Sequence, residues 1–115
     1  MAALFFAGTT GGMIEDCELI RLDGNGIMLS GFNQWTTIRR NHIAYTGDTA
    51  IAGWGFTSGT DPNQPAGTGP DGTKGDFPRY TLIDSNFIHH LGIHEKQSSC
   101  WFQAKTAETV RTLGT

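Results

Sequence analysis

Apolar and polar positions of this chain recur with a period of 24 residues. The segment 14–31 superposes on the segment 38–55 at that offset without a gap. Matched positions carry the same kind of side chain: Ile14 with Ile38, Leu19 with Ile43, Ile27 with Ile51, and Gly31 with Gly55. A third copy begins at Ile83, at an offset of 45 residues from the second, because an insertion intervenes. Such self-similarity is the sequence signature of a repeat protein.

The spacing within one copy predicts short strands joined by bends. The second and third copies share Ile-x-x-Asn-x-Ile, followed by a glycine four residues later. Apolar residues two apart face the same side of a strand, and glycines suit bends that need a positive φ. The period is shorter than the ~33–34 residues of common helix–turn–helix repeats. We therefore predict an all-β fold, a right-handed parallel β-helix of about three coils near residues 14–31, 38–55 and 83–104, as one partial domain over 1–115.

Stacked coils place like residues over like residues. Ile14, Ile38 and Ile83 should form one buried ladder, and Asn41 and Asn86 should stack at a bend and exchange amide hydrogen bonds. Cys17 occupies the asparagine position of the first coil and is predicted to be a buried thiol. An outward ladder of alternating charge is expected from Glu15, Arg39 and Asp84. A leucine-rich repeat is the rival fold, but the chain lacks its leucines and any helical segment.

Two insertions interrupt the repeat. The segment 57–77 is rich in Gly, Pro, Asp and Thr, so it predicts a folded-back surface loop rather than a coil. A shorter insertion surrounds residues 94–97 of the third coil. With that gap Cys100 aligns with Ile51, so Cys100 and Phe102 should face inward. Trp54, Trp101 and Gln103 should then face outward.

Composition narrows the classes of function. The chain has 115 residues and a net charge of −3, without a basic stripe for nucleic acid. No apolar run is long enough to cross a bilayer, so no membrane insertion is expected. The short apolar segment 2–7 lacks a basic start and predicts a strand rather than a signal peptide. Two cysteines make neither a disulfide scaffold nor a zinc motif.

The repeat pattern resembles the right-handed parallel β-helix proteins of the pectate-lyase-like superfamily. The stretches RLDGNG, GDTAIA and EKQSSCWFQAK are similar to a large branch of that superfamily without a characterised activity. The resemblance implies a secreted protein that acts on a polysaccharide. Because members are far longer, it also implies that this chain is a fragment, with neighbouring coils or other chains at its open ends. No lyase or hydrolase catalytic motif matches residue by residue, so enzymatic activity stays open.

Two mechanisms known on this fold give candidate residues by analogy. A uronate lyase needs a base and a group that neutralises the acid, whereas a glycosidase needs two carboxylates. The candidate catalytic residues are His90, Glu95 and Lys96, in a cluster that also contains His89. The candidate polysaccharide-binding residues are Trp54, Trp101, Gln103, His94 and Lys105. The structural alternatives are a polar turn for the histidine cluster, and indoles covered by loop residues such as Phe56 and Phe77.

No cofactor is firmly indicated, although calcium is a candidate. Asp48, Asp71 and Asp76 could bind Ca²⁺ through carboxylates and loop carbonyls, but their spacing lacks a calcium-loop signature and suits turn formation.

The sequence leaves two functions open. One is a carbohydrate-active β-helix, lyase-like or hydrolase-like, which binds a polysaccharide along its outer strand face. The other is a non-catalytic β-helix that binds glycans or builds extracellular structure.

Overall fold

The computed structural model describes residues 2–55, 77–93, 98–104 and 111–113. These residues form strands and bends without any helix, so the all-β prediction is confirmed, and none of them forms a helix that could span a membrane. The strands are β1 (Ala2–Thr10), β2 (Met13–Glu15), β3 (Glu18–Leu22), β4 (Asn25–Gln34), β5 (Thr37–Arg39), β6 (His42–Thr46), β7 (Ile51–Trp54), β8 (Pro78–Arg79), β9 (Leu82–Asp84), β10 (Phe87–His89), β11 (Trp101–Ala104) and β12 (Arg111–Leu113).

The described strands pair in parallel in three sheets. Sheet A runs β1-β4-β7-β11, with β8 beside β4; sheet B runs β2-β5-β9-β12; and sheet C runs β3-β6-β10. The chain passes from sheet A to sheet B, then to sheet C, and returns to sheet A one strand further along. Each such passage is called a layer below. Residues 24 apart therefore lie side by side, as the repeat predicts.

The apolar ladder lies between the sheets. Ile14 pairs with Ile38, which pairs with Ile83, and their exposed fractions are 4%, 0% and 1%. The matched residues of sheets A and C, Ile27, Ile51 and Ile43, are also fully buried. The predicted ladder is confirmed, and it is the core on which the three sheets pack.

The asparagine column is also confirmed. Asn41 and Asn86 are 2% and 5% exposed. The backbone N–H and the side-chain Nδ2 of Asn41 both donate to Oδ1 of Asn86 at 3.0 Å. Asn41 Nδ2 also donates to the Ile14 carbonyl, and Asn86 Nδ2 donates to the Ile38 carbonyl. The side-chain amides thus form hydrogen bonds between successive layers at the bend between sheets B and C.

The prediction that Cys17 is buried is wrong. Its backbone N–H does occupy the ladder position and donates to Oδ1 of Asn41 at 3.0 Å. Its thiol, however, is exposed and lies 3.2 Å from the Glu15 carbonyl. The reason is position in the stack: β2 and β3 are the outermost described strands of their sheets, so no described layer covers the thiol.

The bends use left-handed residues that are mostly not glycine. Each of three columns has a residue with φ between 53° and 73° in every layer. Gly11, Trp35 and Tyr80 lie between sheets A and B, and Asp16, Arg40 and Ser85 lie between sheets B and C. Arg21, Tyr45 and His90 lie at the carboxyl ends of the sheet C strands. Gly47 is instead required by space, since an added Cβ would collide with the Asp23 carbonyl. Of the two glycines that follow the Ile-x-x-Asn-x-Ile motif, Gly92 has a φ of 62°, as predicted for this bend, whereas the other bend columns use residues other than glycine in most layers.

The predicted alignment of the third coil is off by one residue. Trp101, not Cys100, pairs with Ile51, and Phe102 pairs with Ala52. A slip of one residue exchanges the two faces of a strand. Trp101 consequently packs against the core, whereas Phe102 is exposed and Cys100 is exposed beside it.

The outward charge ladder has the predicted register. Glu15 pairs with Arg39, and Arg39 pairs with Asp84. Arg39 Nε donates to Glu15 Oε2 at 2.7 Å.

Of the predicted loop 57–77 only Phe77 is described. Phe77 is buried, with the Arg79 guanidinium 4.5 Å from its ring centroid.

Candidate functional site

The candidate site follows the bend that leads from sheet C back to sheet A. Two layers of this bend are held together by backbone and side-chain bonds: Gly47 N–H donates to the Leu22 carbonyl at 2.7 Å, and Thr49 N–H donates to Asn25 Oδ1 at 3.1 Å. One cavity lies on the sheet A side of this bend and another lies on the sheet C side. The bend therefore presents two adjacent concave surfaces on one rigid frame.

The cavity on the sheet A side has an aromatic wall, and we call it the aromatic groove. Its volume is about 370 Å³, and it is lined by Asn25, Met28, Asp48, Thr49, Ala52, Trp54 and Phe102. The rings of Trp54 and Phe102 lie 5.8 Å apart at an angle of 34°. Their exposed fractions are 37% and 40%. Two partly exposed rings beside polar atoms suit a ligand that has both apolar faces and hydroxyl groups.

The polar side of the aromatic groove is organised around Asp48. Its Oδ1 accepts from the Ser98 hydroxyl at 3.1 Å and from the Thr49 hydroxyl at 3.4 Å. Its backbone carbonyl accepts from the Thr46 hydroxyl at 2.6 Å. These bonds fix the carboxylate at the rim, where it can accept further hydrogen bonds from a ligand. Asp48 is the one titratable residue among the described residues that line the groove.

The predicted binding residues are only partly brought together. Trp54 lies in the groove, but Trp101 turns to the core, where its indole lies against the backbone of Gly53. Trp101 Nε1 donates to Gln103 Oε1 at 2.9 Å, so these two predicted residues bind each other. Phe102 takes the place predicted for Trp101. His94, Glu95, Lys96 and Lys105 lie outside the described residues, as do Phe56, Asp71 and Asp76.

A chain of imidazoles crosses the outer face of sheet C. His42 Nδ1 lies 3.4 Å from Glu18 Oε2, and His42 Nε2 lies 2.8 Å from His89 Nε2. His89 Nδ1 lies in turn 2.6 Å from His90 Nδ1. We call this series, from Glu18 through His42 and His89 to His90, the histidine chain. Its members come from three neighbouring strands and the residue after β10.

The pKa of His89 is lowered from its usual value of 6.5. The largest cause is desolvation, followed by repulsion from the neighbouring imidazoles of His90 and His42. The charged form of the central imidazole is thus penalised. Phe87 contributes to this environment, with its ring 4.7 Å from that of His89.

The histidine chain ends beside the second cavity. Tyr45 stacks on His90 with ring centroids 4.9 Å apart and an interplanar angle of 23°. Tyr45 also lines the cavity on the sheet C side, which has a volume of about 480 Å³ and is lined by Arg21, Leu22, Asp23, Tyr45 and Ile93. We call it the tyrosine cavity. It joins a cation, a carboxylate and an aromatic ring at the end of the histidine chain.

Of the predicted catalytic residues, only His90 is described, and it belongs to the histidine chain. The clustering of His89 and His90 in the sequence does not point to Glu18 or His42 as partners of His90. A signal was present in the repeat, because Glu18 and His42 are 24 residues apart and pair directly across β3 and β6. His89 is displaced by two positions from that column, so a match of columns alone would not have found it.

The described residues contain no group of three or more His, Cys, Asp or Glu side chains arranged to hold a metal ion. Asp48 is the only member of the candidate calcium set among them, so calcium binding stays a prediction.

Comparisons with protein-family models, curated proteins and solved structures gave no match to this chain.

Proposed function

We propose that this chain is a section of a right-handed parallel β-helix that binds a polysaccharide in the aromatic groove. The rotation of the chain through three parallel sheets supports the helical architecture. The right hand is supported by the rule that nearly all crossovers between parallel strands are right-handed. The resemblance to the pectate-lyase-like superfamily supports an extracellular location and further coils or chains at the open ends of the sheets.

The observation that carries the binding proposal is the pairing of Trp54 with Phe102 beside Asp48. A sugar ring has apolar C–H faces that stack on an aromatic ring, and its hydroxyl groups donate to a carboxylate. The aromatic groove offers both within about 370 Å³. Because it lies across neighbouring strands of sheet A, an extended glycan can continue along the sheet on either side.

The groove favours a neutral polysaccharide over an acidic one. Asp48 is the single charged group among the described residues of its lining, and its carboxylate would repel a uronate. Neutral glucans should therefore bind more tightly than pectin or alginate. An Asp48→Asn substitution should reduce this preference while leaving the aromatic contact in place.

Binding is tested by isothermal titration calorimetry and tryptophan fluorescence with neutral glucans, pectin and alginate. Trp54→Ala should weaken glucan binding at least about tenfold, which corresponds to about 1.4 kcal/mol. Trp35→Ala is the matched control, because Trp35 is 59% exposed at a different bend, where it stacks on Tyr80. Absence of binding to any glycan, or equal losses in both variants, would contradict the proposal.

Cleavage is a separate question from binding. A reducing-sugar assay detects a hydrolase, and absorbance of an unsaturated product detects a lyase. A chain that binds glucans and gives neither signal is a glycan-binding or structural β-helix protein, the second function left open by the sequence.

A further inference from the structure

The histidine chain has a directional order of protons. A carboxylate only accepts, so the contact with Glu18 places the proton on His42 Nδ1. In a neutral imidazole the other nitrogen is then an acceptor, so His89 Nε2 must carry the proton at the 2.8 Å contact. The same argument places a proton on His90 Nδ1 at the 2.6 Å contact with His89 Nδ1. His90 Nε2 is the nitrogen left with a free lone pair.

The geometry of both contacts supports this transfer path. The ring centroids of His42 and His89 are 5.0 Å apart, and those of His89 and His90 are 4.9 Å apart. With nitrogen atoms only 2.8 and 2.6 Å apart, the rings meet at their edges and the nitrogens point at each other. A proton can therefore move between neighbouring rings without rotation of either ring.

A proton taken up at His90 Nε2 need not stay there. When His90 passes its Nδ1 proton to His89, and His89 passes its Nε2 proton to His42, the positive charge reaches His42 beside the Glu18 carboxylate. The charge then rests in an ion pair rather than on the central imidazole, where it is penalised. In the described part of the chain, the charged or titratable groups around this path are Glu18 on β3, His42 and Tyr45 on β6, and the cavity residues Arg21 and Asp23.

We propose that the histidine chain is a proton relay that makes His90 Nε2 the general base of a hydrolytic site for acyl esters. A water molecule held at His90 gives its proton to Nε2, and its oxygen bonds to the acyl carbon. The ester C–O bond breaks, and the leaving alkoxide recovers a proton from His90. The net reaction consumes one ester and one water and yields a carboxylic acid and an alcohol. His90 adjoins the tyrosine cavity through its stacking contact with Tyr45, and the cavity provides space for the acyl group beside Tyr45 and Ile93.

This inference is independent of glycan binding in the aromatic groove, because it uses the opposite side of the bend. It is tested with p-nitrophenyl acetate, whose cleavage is followed by release of nitrophenolate. His90→Gln should lower the rate at least about tenfold, since a positioned general base contributes about 10²–10⁴-fold. Glu15→Gln is the control, because it removes a carboxylate from β2 that is paired with Arg39 on sheet B.

Glu18 and His42 act through His90 and are positioning residues, so they need a further readout. Glu18→Gln should lower the rate about threefold to tenfold and move the rise of the pH–rate profile, because the relayed charge loses its partner. Imidazole ¹⁵N NMR of the full chain should show the proton on Nδ1 of His90 and on Nε2 of His89 at neutral pH. An unchanged rate in His90→Gln, an unchanged pH profile in Glu18→Gln, or a proton on His90 Nε2 would each overturn the relay.

Discussion

The repeat predicts the residue positions correctly at the bend between sheets B and C, but not at the bend that precedes β11. At the first bend, Asn41 and Asn86 lie where the repeat predicts, and the amide hydrogen bonds described above run between layers. Before β11, an insertion interrupts the repeat. The observed register of β11 against β7 differs by one residue from the register that the sequence alignment predicts. A repeat therefore predicts positions reliably where a motif such as Ile-x-x-Asn-x-Ile marks the copy, and less reliably after an insertion that no such motif follows.

The two bends differ in the forces that select the register. A buried amide must find partners, so a shifted Asn41 would leave several polar groups unpaired. At β11 the choice lies between two apolar residues, and Trp101 has far more apolar surface to bury than Cys100. Packing of the larger side chain against Ile51 and Gly53 selects the register there.

The largest effect is expected at the enforced bend. Asn41→Leu should lower the free energy of unfolding by about 1–3 kcal/mol, because it leaves buried partners of the amide without a hydrogen bond. Cys17→Ala, in the same column but exposed, should change it by less than about 0.5 kcal/mol. Urea denaturation of both variants measures the difference, and equal stabilities would refute the role of the ladder.

A smaller effect should decide the register of β11. Trp101→Ala should destabilise the protein by about 1–2 kcal/mol, less than a fully buried tryptophan, because Trp101 is only partly buried. Phe102→Ala should cost less than about 0.5 kcal/mol in the same denaturation experiment and should instead weaken glucan binding. If Phe102→Ala were the more destabilising change, the alignment of Cys100 with Ile51 would be the correct one.

The smallest effect concerns pH. The pKa of His89 is lowered in the folded chain, so between that value and 6.5 the unfolded chain binds more protons. Stability should therefore fall as the pH decreases below 6.5 and level off below the folded value. Thermal melts of the wild type and His89→Gln from about pH 7.5 to about pH 5 should show a shallower dependence in the variant. The same slope in both would show that this imidazole is not the cause.

Much of the fold was accessible from the sequence, and less of the candidate site. The columns of Ile38 and Asn41 follow from the period alone. The exposure of Trp54 follows from alternation along β7. By contrast, the sequence predicts Trp101 beside Trp54, whereas the structure places Phe102 there, because an alignment across an insertion has no internal reference. The histidine chain was also missed, since it connects residues of different columns through side-chain direction.

The sequence by itself determined which residues repeat, which of them face the core, and which polar side chains stack at a bend. Those properties depend on a period that the layers share, so the period can be recognised by comparing the sequences of two layers. Only the tertiary structure decided that Trp101 packs inward, that the Cys17 thiol is exposed, and that Glu18, His42, His89 and His90 form one chain. Each of these depends on which layer lies beside the residue and on how far its side chain reaches, and neither quantity is contained in the period.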